Sequence, residues 1–381
     1  MKKIVYVSEE SMVAGNGKCG LADVVDGLSN SCVSLYDVNI ITQDHDGYIT
    51  RKVPVKDFMD GVRKMRVVGA NYYLVRAERW NELVPLVIDA LNPDIFHNFA
   101  APELITGITC KPNVTIYTID HAKYVRGKED VLALYDTITT VSETYAKEIL
   151  AVGDSLSDFL KQADFRGITN GIVDSIFDPS TKFFLDAKYS AMKPDGKNLC
   201  KESLKRHLRI EGDPVIFSSI IRLSPEKGVQ EILDNAYKIK ELGGIVVLFG
   251  KGSKEFEEQA AELHKEGVII YIHSSPSLMR LIPVLAGSDF YLSPSKEEPC
   301  GLMPMMASRY GAIPITTLVG GLKDNFNASN AIIIEDDLNS AIDNAFEMKP
   351  LEKRFMTAMV MSRNFSWKQR KDKYVDIYEQ R

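Results

Sequence analysis

The chain has 381 residues, with 46 basic and 52 acidic side chains, a formal net charge of -6 and 45% hydrophobic residues. This is the composition of a folded protein rather than a disordered tail or a fibre, and the length implies two or three domains of roughly 150 residues each. Both charge signs are interspersed, which argues against a protein that grips a nucleic-acid backbone, because that affinity rests on clustered Lys and Arg.

Met1-Lys2-Lys3 is followed by an apolar run of strand length, too short for a signal peptide or a membrane span. Short β-branched runs then alternate with helical stretches: KIVYVS at 3–8, DVNIITQ at 37–43, DIFHNF at 94–99, VTIYTID at 114–120 and DTITTVS at 136–142. This alternation predicts a parallel sheet with crossover helices, the α/β class. Residues 178–200 carry two Pro, a Gly and scattered lysines without a clean period, as a linker would.

A second series follows, with PVIFSSI at 214–220, GGIVVLFG at 243–250, GVIIYIH at 267–273, DFYLSP at 289–294, GAIPIT at 311–316 and AIIIE at 331–335. Two α/β domains are therefore expected, 1–180 and 181–363, with 364–381 forming a C-terminal helix that places Trp367, Tyr374, Ile377 and Tyr378 on one side. Ligands of open α/β sheets bind beyond the C-terminal ends of the strands, and two such domains would share a cleft there. Cys19, Cys32, Cys110, Cys200 and Cys300 lie far apart with no CxxC pair, against a disulfide framework or a Cys-based zinc site and in favour of a reducing cytoplasm.

Three strand-end segments carry candidate chemistry. In IIRLSPEKG, Arg222 and Lys227 flank a loop before a helix whose apolar face is Val229, Ile232, Leu233, Ala236 and Ile239. A guanidinium, an ammonium and a helix N-terminus together suit a diphosphate, whereas two solvated surface cations are the alternative. In SPSKEEPCGLMPMM, Glu297 and Glu298 precede Cys300, Gly301 and Leu302 at the start of an apolar helix. Carboxylates there either cap the helix dipole or accept hydrogen bonds from a sugar. In LVGGLKDN, Gly320-Gly321 opens the backbone before another helix, a candidate phosphate nest.

The order of these segments resembles the donor-nucleotide domain of bacterial glycogen synthases and plant starch synthases, retaining glucosyltransferases of the GT-B fold with two Rossmann-like domains. The resemblance extends to CGLADVVDGLS (19–29), TTVSETYAKEI (139–149), GITNGIVDSIFDPSTK (167–182) and FSWKQRKDKY (365–374). It implies that Arg222 and Lys227 neutralise the donor diphosphate, that Glu298 holds the transferred sugar, and that Gly320, Gly321 and Leu322 give backbone amides to the phosphates. Cys300, Gly301 and Leu302 would lie beside the donor, with Gly17, Lys18 and Gly20 on the N-terminal glycine loop. The implied reaction transfers an α-glucosyl unit from ADP- or UDP-glucose to an α-1,4-glucan or related acceptor with retention. The leaving phosphate would help to deprotonate the attacking hydroxyl, with no metal or other cofactor.

The N-terminal half departs from the family pattern. Lys18-Cys19-Gly20-Leu21 is one residue shorter than the family signature, which leaves Gly17 in the family's Lys position and Lys18 either a phosphate or acceptor contact from a shifted loop or an ordinary surface lysine. HNFAAPEL (97–104) keeps His97 but has Ala100-Ala101-Pro102 where the family has Asp-Trp-His. The family's Thr-Ile-His-Asn reads Thr118-Ile119-Asp120-His121, so either Asp120 or His121 serves the reacting sugar, or both merely end a strand. Val319 replaces a Thr, no aromatic near Pro276 marks the base, and residues 43–92 are short for the family. Two further readings follow: a GT-B transferase with a non-glucan acceptor, and a catalytically weak homologue that binds sugar nucleotide or glucan and regulates a partner.

Overall fold

The computed structural model describes residues 1–13, 20–44, 53–181, 184–275 and 277–380. The chain divides into two compact units: Met1–Val173 with Phe365–Arg381, and Asp174–Asn364. Among the described residues, no helix is long and apolar enough to cross a membrane.

The first unit is built on β1 (Lys3–Val7), β2 (Asp37–Gln43), β3 (Lys56–Met59), β4 (Val62–Val67), β5 (Ala70–Val75), β6 (Ile95–Asn98), β7 (Val114–Ile119), β8 (Thr137–Thr140) and β9 (Phe165–Gly167). They form one sheet in the order β3-β4-β5-β2-β1-β6-β7-β8-β9. The pairs from β5 through β9 are parallel, as helical crossovers require, while β3-β4 and β4-β5 are antiparallel. Ile4, Val5, Phe96, Ile116 and Ile138 are buried, so the central strands are covered on both faces and read as continuous apolar runs.

The antiparallel strands and β9 were not among the expected elements. Asp60-Gly61 lies between β3 and β4 with Gly61 at φ 79°, and Val68-Gly69 lies between β4 and β5 with φ 49° and 89°. An Asp-Gly step between two strand-length runs is a strong hairpin signal, because both turn residues tolerate left-handed backbone.

The C-terminal segment packs within this first unit. The Ile172 N–H donates to Phe365 O at 2.8 Å and the Trp367 N–H to Ile172 O at 3.3 Å. Two short helices follow, Trp367–Arg370 and Asp372–Tyr378, with Trp367, Tyr374, Ile377 and Tyr378 all buried. His97, inside β6, ties them to the sheet: its Nδ1 lies 2.8 Å from the Tyr378 hydroxyl and its Nε2 2.7 Å from the Thr118 hydroxyl, itself 2.7 Å from that of Thr139.

The second unit contains β10 (Val215–Ile220), β11 (Gly244–Phe249), β12 (Ile269–Ile272), β13 (Phe290–Ser293), β14 (Ile313–Thr316) and β15 (Ile332–Ile333). They form an all-parallel sheet in the order β12-β11-β10-β13-β14-β15. Order reverses beside β10, so the loops after β10 and β13 leave adjacent strand ends, the place where such sheets bind ligands. Phe217, Val246, Leu248, Phe290, Leu292 and Ile313 form the core beneath those ends.

Candidate functional site

The loop after β10 is fixed before it presents any side chain. The Ile221 N–H donates to Phe249 O at 3.0 Å and the Leu223 N–H to Lys251 O at 2.8 Å, which extends the ladder past the strand. A single 3-10 turn, Pro225–Lys227, then leads to Gly228 at φ 66° and to the helix Val229–Asp234. Gly228 is required there twice over: the backbone is left-handed, and a Cβ would lie 2.0 Å from Pro294 O. That approach brings Lys227 against the loop that follows β13.

Glu298 is where the three strand-end segments meet. Its Oε2 accepts from Lys227 Nζ at 2.8 Å and its Oε1 from the Gly301 N–H at 3.2 Å. Its backbone carbonyl accepts the Gly321 N–H at 2.9 Å. Lys227 Nζ also reaches Glu297 O at 3.3 Å. The paired side chains are only 13% and 18% exposed, so removing either partner strands a mostly buried charge, which costs far more than breaking a pair at the surface. Gly301 caps the helix Leu302–Arg309, which places the Glu298 carboxylate at a helix N-terminus, where the dipole favours negative charge.

The Gly320-Gly321 step, the expected phosphate nest, also ties these loops to one another. The Gly321 N–H is donated to Glu298 O and the Leu322 N–H to Val319 O at 3.0 Å, so both amides serve the loop itself. Gly321 is needed for close approach, since a Cβ would lie 2.4 Å from both Cα and O of Cys300. Asn325 Nδ2 then binds Cys300 O at 3.2 Å and Gly321 O at 2.7 Å. Cys300 is buried at this crossing and Leu322 is fully buried.

Arg222 stands at the open side of the cluster. Its side chain is 50% exposed, and Nη2 donates to Glu226 Oε1 at 3.0 Å. Glu226 also receives the Lys296 and Glu297 N–H groups on its backbone carbonyl, at 2.9 and 3.3 Å. Sequence reading passed over Glu226, although its spacing of four residues from Arg222 was the available signal. It also passed over Ser224 and Ser295, whose buried hydroxyls have no hydrogen-bond partner among the described residues.

In the first unit, Asp120 and His121 follow β7 directly and are both half-buried. The His121 ring meets Tyr124 edge-on at 5.8 Å, and the Ala122 N–H donates to the Tyr145 hydroxyl at 3.1 Å. His97 is taken up by the fold, and burial holds its pKa well below the ordinary value, so it is neutral. Gly20 opens the helix Gly20–Cys32, whereas Gly17 and Lys18 lie outside the described residues, as does Pro276.

On that helix the Asp26 carboxylate binds the Ser11 hydroxyl at 3.0 Å, the Val13 N–H at 3.1 Å and the Tyr72 hydroxyl at 3.2 Å. Burial pushes the Asp26 pKa up to about 6 against the opposing pull of these bonds, and burial together with Asp26 pushes Asp23 up to about 7. Among the described residues, no group of three or more His, Cys, Asp or Glu is placed to hold a metal ion. A cavity of about 520 Å³ beside β15, lined by Ile332, Asp336, Asn344 and Glu352, contains none of these site residues.

The family model described as glycosyl transferases group 1 matches residues 201–358, the segment that carries Arg222, Lys227, Glu298 and Gly321. A glycogen synthase of Geobacillus thermodenitrificans is 32% identical over 289 residues, 69% of this chain and 59% of that protein. The chain thus spans less than two thirds of the length of that relative. The catalytic domain of starch synthase IV from Arabidopsis thaliana, solved with ADP and acarbose, superimposes with a TM-score of 0.85 at 23% identity and covers 99% of this chain and 98% of its own. An Anabaena protein solved with UDP and glucose gives a TM-score of 0.68 at 14% identity, covering all of both chains.

Proposed function

The chain is a glycogen/starch synthase-like member of the GT-B glycosyltransferases, and we propose that it transfers a glucosyl unit from ADP- or UDP-glucose to an α-1,4-glucan with retention. The observation that carries this reading is the convergence on Glu298 of Lys227, the Gly301 amide and the Gly321 amide, with Arg222 alongside. Two cations lie within a few residues of each other on one loop, and a carboxylate waits across from them. That arrangement suits a diphosphate joined to a polyhydroxylated ring.

In this reading Arg222 and Lys227 take the diphosphate and stabilise the charge that grows on it as the glycosidic bond breaks. Such fixed charges do this without reorganising, so the site does its work without a metal. Glu298, held by Lys227 and Gly301, accepts hydroxyl hydrogens of the transferred glucose. Asp120 or His121 serves the reacting sugar from the end of β7. The leaving phosphate takes the proton of the attacking hydroxyl on the same face. The setting is the cytoplasm.

A second reading keeps this chemistry and changes the acceptor. It is favoured by the loop after β6, where Ala100-Ala101-Pro102 offers no ionisable side chain and Asn98 closes the turn by binding the Ala100 N–H and Ala101 O at 2.9 Å each.

Calorimetric titration with ADP, UDP, ADP-glucose and UDP-glucose, followed by nucleotide release with and without a maltooligosaccharide, tests both. Tight binding of one nucleotide with glucan-dependent release is the expected result. Binding without release on any glucan favours the other acceptor, and absence of binding to all four compounds overturns the donor assignment.

A further inference from the structure

The sheet of the second unit is seamed unevenly. β10 pairs with β11 along its whole length, from Val215 with Gly244 to Ile220 with Phe249, and β13 pairs with β14 as far as Ser293 with Thr316. Between β10 and β13, where the strand order reverses, the main-chain ladder carries only Phe217 with Phe290 and Ser218 with Tyr291. Beyond those pairs the two strands part, and side chains close the seam. The Ser219 hydroxyl donates to Leu292 O at 2.9 Å. The Tyr291 hydroxyl donates to Ile220 O at 2.9 Å and accepts the Ile220 N–H at 3.2 Å.

A residue in a parallel sheet turns its N–H and its C=O toward the same neighbouring strand, so a strand that parts from its neighbour leaves both groups in want of a partner. At Ile220 one phenolic oxygen answers both. Tyr291 is fully buried, and that burial pushes its pKa up, so the hydroxyl stays protonated and able to donate. Arg222 follows two residues later. Its neighbours Ile221 and Leu223 are tied on the β11 side, to Phe249 O and Lys251 O. On the β13 side the tie nearest to Arg222 is the one from the Tyr291 hydroxyl to Ile220. Lys227 has its own anchorage to the loop after β13, through Glu298 and through the close approach of Gly228 to Pro294 O.

We propose that Tyr291 is a positioning residue of the donor site: its hydroxyl stands in for the absent strand beside Ile220 and so sets the direction in which Arg222 leaves β10. The inference rests on the reading of Arg222 as a diphosphate cation. Parted strands at the reversal of order make the crevice in which such sheets take their ligands, and the hydroxyl lets them part without stranding a buried peptide group. Without it, Ile220 regains its bonds only by moving toward water or toward β13. Either movement swings Arg222 away from the diphosphate, while Lys227 keeps its place.

The test uses the full chain, titrated calorimetrically with the probes ADP and UDP. Tyr291→Phe keeps the ring that fills the core and removes the hydroxyl alone. It should bind the preferred nucleotide about five-fold more weakly than the wild type, the size of one net hydrogen bond. In the Arg222→Ala background the same substitution should change affinity by less than about two-fold, because the side chain through which it acts is gone. Tyr189→Phe controls for the loss of a buried hydroxyl as such, since Tyr189 is buried in the same unit and donates to Tyr310 O at 3.0 Å. It should lower the melting temperature by a similar amount and leave nucleotide affinity unchanged.

Wild-type affinity in Tyr291→Phe, or an equal loss of affinity in Tyr189→Phe, makes the hydroxyl a matter of stability alone and overturns the positioning role while leaving the clamp standing. A five-fold loss that persists without Arg222 also overturns it, because it places the effect on another group. Undiminished binding in Arg222→Ala overturns the clamp, and the positioning role with it.

Discussion

The strand ends after β10 and β13 in the second unit and after β7 in the first use polar residues in opposite ways. In the second unit the polar groups of the candidate site are also the ties of the fold: Glu298 joins Lys227, Gly301 and Gly321, and Glu226 O joins the Lys296 and Glu297 amides. In the first unit the ties lie elsewhere. His97 links Tyr378 to Thr118 in the interior, and Asp26 gathers Ser11, Val13 and Tyr72. Asp120 and His121 are left at the end of β7 outside those networks. Where site and scaffold share the same bonds, few substitutions preserve either, so the spacing of the motif is dictated. A strand end whose side chains lie outside the ties of its sheet can change while that sheet stays intact, and it is at this end that the chain departs from the family pattern.

Variants in the second unit break that comparison most severely. Gly321→Ala should cost about 3 kcal/mol and most nucleotide binding together, because the new methyl meets backbone atoms of Cys300 that cannot turn aside. Chemical denaturation and calorimetry on the same preparation check both. Lys227→Ala should cost about 2 kcal/mol, since it strands the mostly buried Glu298 carboxylate, and should lower turnover at least 100-fold. Arg222→Ala supplies the contrast. Its exposed pair predicts a stability change below about 0.5 kcal/mol with a loss of donor affinity all the same. Equal destabilisation by the two variants would contradict the division between buried and exposed pair.

The first unit has a measurable signature of its own. Both tryptophans, Trp80 and Trp367, belong to it, so their fluorescence follows its unfolding. Burial depresses the pKa of His97 in the folded state, so the unfolded chain takes up a proton near pH 6.5 that the folded chain refuses. At this site the unfolded state then binds more protons, so the His97 contribution to stability rises with pH through this range and is lost as pH drops below about 6.5. The raised carboxyls of Asp23 and Asp26 contribute with the opposite sign. The slope for one such group approaches 1.4 kcal/mol per pH unit. In His97→Gln that part of the slope should disappear between pH 6.5 and 5. A wild-type slope that the variant retains would place the titration on another group.

How much of this was legible in the sequence follows from the range of the interactions. The parallel strands were legible as apolar runs because both of their faces are buried, and Val215–Ile220 or Asp37–Gln43 can hardly be anything else. The hairpin from Lys56 to Val75 was not, since Lys64 and Arg66 interrupt the apolar pattern and only the Asp60-Gly61 step announces it. Lys227 and Glu298 could each be marked from local context, but their pairing spans 71 residues and depends on β10 lying beside β13. The use of the Gly321 and Leu322 amides inside the loop was invisible for the same reason: glycine advertises freedom of the backbone, not the destination of its N–H.

The smallest expected effect on stability is at the end of β7. Asp120 is half-buried there, beyond the hydrogen bonds that close the sheet at Thr140 Oγ1 and Ile119 O. Asp120→Ala should therefore shift stability by less than about 0.5 kcal/mol. If Asp120 serves the reacting sugar, turnover falls in this variant while affinity for the free nucleotide holds, because a group that touches only the sugar contributes nothing to binding a nucleotide without one. His121→Ala in parallel separates the two neighbours: the variant that lowers turnover without moving nucleotide affinity identifies the residue that faces the chemistry. Unchanged turnover in both would make this strand end structural, and would shift the search for acceptor-side chemistry to the glycine loop before Gly20.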